Sequence, residues 1–159
     1  MKIKGIIDYD IVNYKLPCLT IEMPFCNFKC DKECGRPVCQ NSELAKEPNI
    51  NISVGKLIDD YYKPPAAALC FQGLEPFDSF TDLMECIDYF RTVSNDPVVI
   101  YTGYNKEEIK NYLTKLKNFD KIIIKYGRYI YGEEPHYDEV LGVNLASSNQ
   151  YAEELKWEN

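Results

Sequence analysis

Long apolar runs are missing from the sequence: none approaches the roughly 18 residues that a helix needs to span a membrane. Basic residues are outnumbered, since 18 Lys and Arg stand against 25 Asp and Glu and give a formal charge of −7. General nucleic-acid binders need a basic face that neutralises phosphates, so this class is excluded. The stretch 1–15 is interrupted by Asp8, Asp10 and Asn13 and does not read as a secretory signal. We expect a cytoplasmic protein without a membrane segment.

Histidine, linkers and repeats are also scarce or missing. The single histidine, His136, lies in the polar segment "EEPHYDE" and is predicted to be a surface residue without a catalytic role. No linker rich in Pro, Gly or Ser, no internal repeat and no low-complexity segment divides the chain. Of the 159 residues 45% are hydrophobic, which is enough to form a core without disulfides. The sequence therefore predicts one domain over residues 1–159.

Buried strands and amphipathic helices alternate along most of the chain. Apolar runs without polar alternation predict strands at 18–22, 66–71, 97–103 and 121–127. Apolar residues at helical spacing predict helices at 53–62, 79–91 and 105–116. Each helix begins with a capping signal, which is Ser53, the pair Ser79 and Asp82, or the pair Asn105 and Glu108. Such alternation builds a mostly parallel sheet in an α/β fold.

Polar motifs follow the ends of these predicted strands. They are the cysteine-rich loop after Glu22, "QGLEP" after Phe71, "TGY" after Tyr101 and "YGRY" after Lys125. In parallel α/β sheets and barrels, ligands bind at the carboxyl ends of the strands. We therefore expect one functional site at this edge of the sheet, built from all four segments.

Four of the seven cysteines lie together in the segment "CNFKCDKECGRPVC", at Cys26, Cys30, Cys34 and Cys39. In a reducing compartment such a group indicates a metal or catalytic site rather than a disulfide framework. The remaining cysteines have apolar neighbours in the sequence and are predicted to be small core residues. They are Cys18, Cys70 and Cys86.

The four clustered thiolates suit zinc, an iron–sulfur cluster or copper(I). Four ligands would close a structural zinc site, but zinc ribbons usually bring two Cys-x-x-Cys pairs from separate turns, which this single loop does not offer. An iron–sulfur cluster is favoured, because three cysteines can ligate three irons of a 4Fe-4S cluster and leave the fourth iron open. The pair Cys26 and Cys30 also has the Cys-x-x-x-Cys spacing with which radical S-adenosylmethionine (SAM) enzymes begin their cluster motif.

From about Cys18 to Gln150 the chain resembles the activating proteins of anaerobic (class III) ribonucleotide reductase, which are small radical SAM enzymes. The resemblance rests on the order of "CNFKC", "CQN", "QGLEPF", "IYTGY" and "ASSNQ". The family has a Gly-Gly-Asp/Glu-Pro turn where this chain has Leu74 in place of the second glycine. In the family, two residues separate the third cysteine from the second, and an aromatic residue directly precedes the third cysteine. Here the third cysteine is more distant, and Glu33 or Val38 precedes it.

The third cluster ligand is either Cys34 or Cys39. Because "CQN" at Cys39 resembles the end of the family's cluster loop, Cys39 is favoured, and residues 31–38 become an insertion within a cluster loop of 26–41. Cys34 remains the alternative third ligand, since it would keep the loop compact.

The resemblance implies a radical SAM-like fold, a partial (incomplete) β/α barrel, since the chain is shorter than the roughly 200 residues of a full barrel. It also implies a 4Fe-4S cluster that cleaves SAM to a 5′-deoxyadenosyl radical. Flavodoxin or ferredoxin would supply the electron, and the radical would create a glycyl radical on the catalytic subunit of the reductase. The open side of a partial barrel suits such a macromolecular substrate.

The resemblance also implies which residues contact SAM. The turn holding Gln72, Gly73 and Glu75 is predicted to bind the SAM amino group, and Lys125 its carboxylate. Thr102, Gly103 and Tyr104 are predicted to lie against its ribose or methionyl part. Two other functions stay open: a radical SAM enzyme acting on another glycyl-radical enzyme, a peptide or a small molecule, and a zinc-binding interaction module with four structural cysteines.

Overall fold

A computed structural model describes residues 1–63 and 65–156 of the protein. Its strands are β1 Lys2–Ile3, β2 Gly5–Asp10, β3 Cys18–Met23, β4 Ile50–Asn51, β5 Ala68–Gly73, β6 Val98–Tyr101, β7 Ile122–Tyr126, β8 His136–Asp138, β9 Val143–Leu145 and β10 Tyr151–Glu154. Its α-helices are α1 Lys29–Cys34, α2 Ser42–Lys46, α3 Val54–Tyr61, α4 Phe80–Arg91 and α5 Lys110–Leu116. Short 3-10 turns at Pro76–Ser79 and Lys106–Ile109 precede α4 and α5.

The fold is mixed α/β, and its centre is a six-stranded sheet in the order β10-β7-β6-β5-β3-β2. The four inner strands β3, β5, β6 and β7 are parallel, while β2 and β10 pair antiparallel at the two edges. These inner strands and the helices α3, α4 and α5 confirm the predicted elements, with ends that differ by one to three residues or a 3-10 turn. The pairings define the strand order, and a partial barrel stays a prediction.

The helices α3, α4 and α5 all pack on one face of the sheet. The inner strands follow one another across the sheet in chain order, so right-handed crossovers place each connecting helix on the same side. That side holds the larger core, with Phe71, Leu83, Phe90 and Ile124 among its fully buried members. The opposite face carries a smaller core that includes Cys18, Cys70 and Leu145, and the β8–β9 hairpin covers part of it.

The prediction that Cys18, Cys70 and Cys86 are core residues is confirmed, because all three have 0% exposed surface. No helix within residues 1–63 and 65–156 combines the length and apolar character of a membrane span. His136 begins β8 and is partly exposed.

Two of the three predicted helix starts are confirmed. The Ser53 side chain accepts a hydrogen bond from the Lys56 amide, and Asn105 and Glu108 form a reciprocal capping box. The capping box predicted for Ser79 and Asp82 is wrong, because Ser79 makes no capping hydrogen bond. The chain turns earlier than the helical pattern suggests: Glu75 caps the 3-10 turn, and Asp82 instead accepts a hydrogen bond from the Lys2 amide.

The edge strand β2 leads into a loop that a buried carboxylate organises. Asp10 is 3% exposed. It accepts hydrogen bonds from the amides of Val12 and Asn13 at 2.9 and 3.2 Å, from the Asn13 side chain at 2.6 Å and from the Thr20 hydroxyl at 2.6 Å. This carboxylate therefore joins β2 to β3 and fixes the position of residues 12–13.

Replacing Asp10 by Ala should lower the free energy of unfolding by about 3 kcal/mol, since a buried Thr20 hydroxyl and two loop amides lose a charged acceptor. Urea unfolding followed by circular dichroism measures this change. The matched control is Asp8→Ala on the same strand, where the side chain is exposed and the expected change is under about 0.5 kcal/mol. Equal effects of the two substitutions would contradict the assigned role of Asp10.

Candidate functional site

A cavity of about 430 Å³ lies at the carboxyl edge of the parallel strands, on the side of the sheet opposite the helices. Its volume falls within the range of about 300–1,000 Å³ that is usual for small-molecule sites. Its lining comes from all four predicted segments. The lining residues include Cys26, Cys30, Cys39, Gln72, Gly73, Glu75, Thr102, Gly103 and Lys125.

Three of the four clustered cysteines line this cavity, and the fourth does not. Cys26, Cys30 and Cys39 are half-buried and face the same space, whereas Cys34 is exposed at the end of α1. The structure thus brings together the two cysteines of the "CNFKC" motif and the cysteine of "CQN". It leaves Cys34 outside that group.

Backbone N–H groups act on all three cavity sulfurs. The Phe28 amide donates a hydrogen bond of 3.2 Å to Cys26 Sγ. The backbone N–H groups of Tyr129 and Asn41 lower the pKa values of Cys30 and Cys39, respectively. Such N–H···S bonds favour a thiolate, and around iron–sulfur clusters they help to set the reduction potential.

Burial raises the pKa of the Cys26 thiol to about 11 and also raises those of Cys30 and Cys39, although the backbone N–H groups oppose this effect. Without a metal, the three groups are therefore protonated thiols near neutral pH. Metal ions bind thiolates, so loading the site releases these protons.

The inserted segment 31–38 is folded so that Cys39 returns to the cavity. Helix α1 ends at Gly35, whose φ of 71° is the left-handed conformation that glycine adopts readily. Asp31 Oδ1 then accepts hydrogen bonds from the amides of Val38 and Cys39, both at 2.8 Å. The Asn41 side chain donates a hydrogen bond to the Gly73 carbonyl, which ties the end of the cysteine loop to the end of β5.

Glu75 is a buried connector between two strand ends. Its carboxylate is 5% exposed and accepts hydrogen bonds from the Phe77 amide at 3.1 Å, the Thr102 hydroxyl at 2.7 Å and the Gly103 amide at 2.9 Å. Burial raises its pKa to about 7, against the three donors that lower it. Both carboxylate oxygens are therefore already engaged, and Glu75 positions the turn after β5 against the end of β6.

Lys125 is a buried cation at the same cavity. It is 7% exposed, and its ammonium donates a hydrogen bond of 3.0 Å to the Gly127 carbonyl. Burial lowers its pKa to about 8, while the nearby Glu75 and Cys30 oppose that shift. Because the side chain does not reach solvent, it is not an ordinary surface lysine with a buried stem.

Two glycines allow the chain to pass close to the cavity wall. Gly73 has a φ of 92°, and a Cβ there would come within 3.1 Å of Glu22 and Leu44. A Cβ at Gly103 would lie 3.8 Å from Cys30 Sγ, so the turn after β6 runs directly beside this cysteine. Side chains at these positions would narrow the space between the cysteine loop and the sheet.

The remaining predicted residues have different surroundings. Gln72 and Thr102 line the cavity, although the Thr102 hydroxyl is committed to Glu75. Tyr104 is not among the lining residues. Its hydroxyl donates a hydrogen bond of 2.7 Å to Asp78 and accepts one of 2.7 Å from the Asn27 side chain. Tyr104 therefore anchors the cysteine loop through Asn27.

Sequence reasoning assigned no role to several residues that build the site. Arg128 pairs with Glu108 behind the cysteine loop, and it was detectable only as the charged residue of "YGRY" at a strand end. Gln150 in "SSNQ" ties residues 146–147 to the Gly127 carbonyl. Residues 12–13 and 143–145 also line the cavity and belong to no motif of the sequence, whereas Ala146, next to them, begins "ASSNQ".

Three thiols line the same cavity, and the ligands of an iron–sulfur cluster bind different iron atoms. Among residues 1–63 and 65–156, no group of three or more His, Cys, Asp or Glu side chains is arranged to hold a metal ion.

The raised pKa of Glu75 predicts a pH-dependent stability of the cluster-free protein. The pKa of Glu75 is about 7 in the folded protein and about 4.5 in the unfolded chain. Protonation of Glu75 therefore contributes its full stabilisation of the folded state below pH 4.5. This contribution, about 3 kcal/mol, is lost as the pH rises through 7. The stability of wild type minus that of Glu75→Gln should therefore decrease between pH 4.5 and 8, measured by urea unfolding. A difference that is constant with pH would show that Glu75 does not titrate in this range.

Comparisons with known proteins agree with this donor set. No curated protein and no solved structure matches the chain. A family model described as "4Fe-4S single cluster domain" matches residues 19–151, which include the cysteine loop and the carboxyl ends of β3, β5, β6 and β7. On the strength of that match over most of its length, the chain belongs to the 4Fe-4S single cluster domain family.

Proposed function

We propose that the protein is a radical SAM enzyme that activates a glycyl-radical enzyme, with the catalytic subunit of an anaerobic ribonucleotide reductase as its partner. One observation carries the proposal: three of the four clustered thiols share a cavity, and the fourth thiol lies outside it. A 4Fe-4S cluster held by Cys26, Cys30 and Cys39 keeps one iron without a protein thiolate. That iron would be available to SAM.

A bound cluster of this kind supplies the single electron that breaks a C–S bond of SAM and releases methionine and a 5′-deoxyadenosyl radical. The chain's own residues bind and orient SAM for that step. The Gly73 turn brings backbone groups close to the cavity for the SAM amino group, and Gln72 lies beside it. Glu75 does not need to contact SAM, since it holds Thr102 and Gly103 in place at the cavity wall.

Lys125 is the residue proposed to bind the SAM carboxylate. Its ammonium is buried at the cavity, where an anionic ligand would compensate for the solvation by water that burial removes. Lys125 lines the cavity and pairs with Tyr101 in the register of the sheet, one strand away from the Thr102 turn. The ligand would then lie between the cysteine loop and β7.

The partner proposal rests on the sequence motifs and on the chemistry of glycine. A glycine Cα–H gives up its hydrogen atom to the deoxyadenosyl radical, which forms 5′-deoxyadenosine and leaves the radical on the partner. Flavodoxin or ferredoxin is the proposed electron donor. The alternative is the same chemistry on another glycyl-radical enzyme, a peptide or a small molecule, and assays with the purified reductase subunit separate the two.

The zinc-binding module is disfavoured by the position of Cys34. Four structural thiolates around one zinc ion need all four sulfurs within bonding distance of the same point. Cys34 is exposed and does not face the cavity that the other three cysteines line.

Anaerobic reconstitution with iron and sulfide, followed by reduction and addition of SAM, tests the proposal. Wild type and Cys34→Ala should both bind a 4Fe-4S cluster and release 5′-deoxyadenosine. Cys39→Ala should lose the cluster and the product, because Cys39 is one of three ligands. Chromatography measures the product, and iron analysis with electron paramagnetic resonance measures the cluster.

The two cysteine variants are matched controls for each other, since they remove the same group from the same loop. Loss of product in Cys34→Ala with retention in Cys39→Ala would assign the third ligand to Cys34. A wild-type protein that binds the cluster and releases no 5′-deoxyadenosine would overturn the proposed reaction.

Replacing Lys125 by Met should weaken SAM binding by about 10- to 100-fold, the effect of losing one charge-assisted hydrogen bond. Cluster content should not change, because Lys125 is not a cluster ligand. Calorimetry of SAM binding to the reconstituted protein measures the affinity, and Lys110→Met on the exposed side of α5 is the control. Unchanged SAM affinity in Lys125→Met would remove Lys125 from the binding site.

A further inference from the structure

Arg128 is a buried arginine behind the cysteine loop. Its side chain is 7% exposed, and its guanidinium makes two parallel hydrogen bonds with Glu108, at 2.7 and 2.8 Å. The guanidinium also lies 3.3 Å from Glu33 Oε1, which belongs to the inserted segment 31–38. One side chain thus connects the end of β7, the turn before α5 and the insertion.

The same arginine lies next to Cys30. A Cβ at Gly103 would lie 3.7 Å from Arg128 Cγ and 3.8 Å from Cys30 Sγ, so both atoms lie near the same point beside that turn. The backbone N–H of the next residue, Tyr129, lowers the pKa of the Cys30 thiol. The positive charge of Arg128 lowers the pKa of the Cys30 thiol, against the larger effect of burial.

The negative partners of Arg128 differ in their surroundings. Glu108 has a side-chain exposure of 32%, and it also accepts hydrogen bonds from Lys29 at 3.2 Å and from the Asn105 amide at 2.9 Å. These donors hold its pKa at about 2, with Arg128 as the largest cause. Glu33 has a side-chain exposure of 59% and is therefore the more strongly solvated partner.

We infer that the Arg128–Glu108 pair positions the Cys30 side of the cluster loop and sets the reduction potential of the cluster by its balance of charge. The inference rests on the proposed ligands Cys26, Cys30 and Cys39, and it does not depend on SAM cleavage. It also gives the insertion a role, because Glu33 attaches the inserted segment to the arginine that supports Cys30.

The direction of the effect follows from electrostatics. Reduction adds one electron to a cluster that already carries negative charge, so a nearby positive charge favours the reduced form and a negative charge disfavours it. Buried charges are screened weakly, and Arg128 is the buried member of the group. Removing Arg128 makes the net charge beside the cysteine loop more negative by one, while removing Glu108 makes it more positive by one.

The test is a redox titration of the reconstituted full-length protein without SAM, followed by electron paramagnetic resonance of the reduced cluster. Arg128→Gln should shift the midpoint potential to a more negative value, and Glu108→Gln should shift it to a more positive value. Arg128→Lys keeps the charge and should stay closest to wild type. Lys56→Gln, an exposed change on α3, is the surface-charge control and should cause no shift.

The opposite signs separate an electrostatic role from a merely structural one. Both substitutions break the same pair of hydrogen bonds, so loosening of the loop alone would move the two potentials in the same direction. Shifts of the same sign, or unchanged potentials with the cluster intact, would overturn the inference. If Arg128→Gln fails to hold a cluster, Arg128→Lys and Glu108→Gln decide by the same criteria. A wild-type protein that holds no 4Fe-4S cluster would instead overturn the proposed function itself.

Discussion

The parallel pairing of β3, β5, β6 and β7 is the constraint on which the site depends. Parallel strands end at the same edge of a sheet, so the loops that follow them must meet there. The strands are also adjacent in chain order, and right-handed connections then place every crossover helix on one face. The other face is left for a cavity, and its walls are supplied by the loop after β2, the cysteine loop and the β8–β9 hairpin.

Polar contacts at this edge fasten the loops to one another. Glu75 joins the turn after β5 to the turn after β6 through Thr102 and Gly103, inside the protein, where such bonds are strong. Arg128 joins the turn after β7 to the insertion through Glu33. The cysteine loop is held by Glu33, by the Asn27–Tyr104 hydrogen bond and by the Asn41 side chain on the Gly73 carbonyl. Cys26 Sγ also accepts a hydrogen bond from the Phe28 amide.

The parts of the fold that the sequence predicted are those with strong periodicity. The inner strands are continuous apolar runs because both of their faces are buried, and α3, α4 and α5 show one apolar face each. The edge strands β2 and β10 were missed, since one is partly exposed and broken by a bulge before Asp10 and the other is short and polar. Periodicity also could not show that a 3-10 turn would replace the expected capping box at Ser79.

Within the site, residue types at strand ends were predictable, whereas their partners were not. The sequence indicated that Glu75 and Lys125 lie at one edge, but not that both are buried. Their altered pKa values arise from that burial, which depends on residues distant in the chain. The role of Arg128 was missed for the same reason. It depends on contacts with Glu108, twenty positions away, and with Glu33 in a segment with no recognisable pattern.

The charges around the cavity indicate what the fold is arranged to hold. A buried lysine is costly by itself, and Lys125 has one backbone acceptor and the nearby Glu75 to compensate for lost solvation. The three cavity thiols are neutral without a metal because burial raises their pKa values. In the proposed cluster-bound form, thiolates on the cavity wall would place negative charge near Lys125, which lines the same cavity. Arg128 already has the carboxylates of Glu108 and Glu33 as partners, so Lys125 is the buried cation whose electrostatics the proposed cluster would complete.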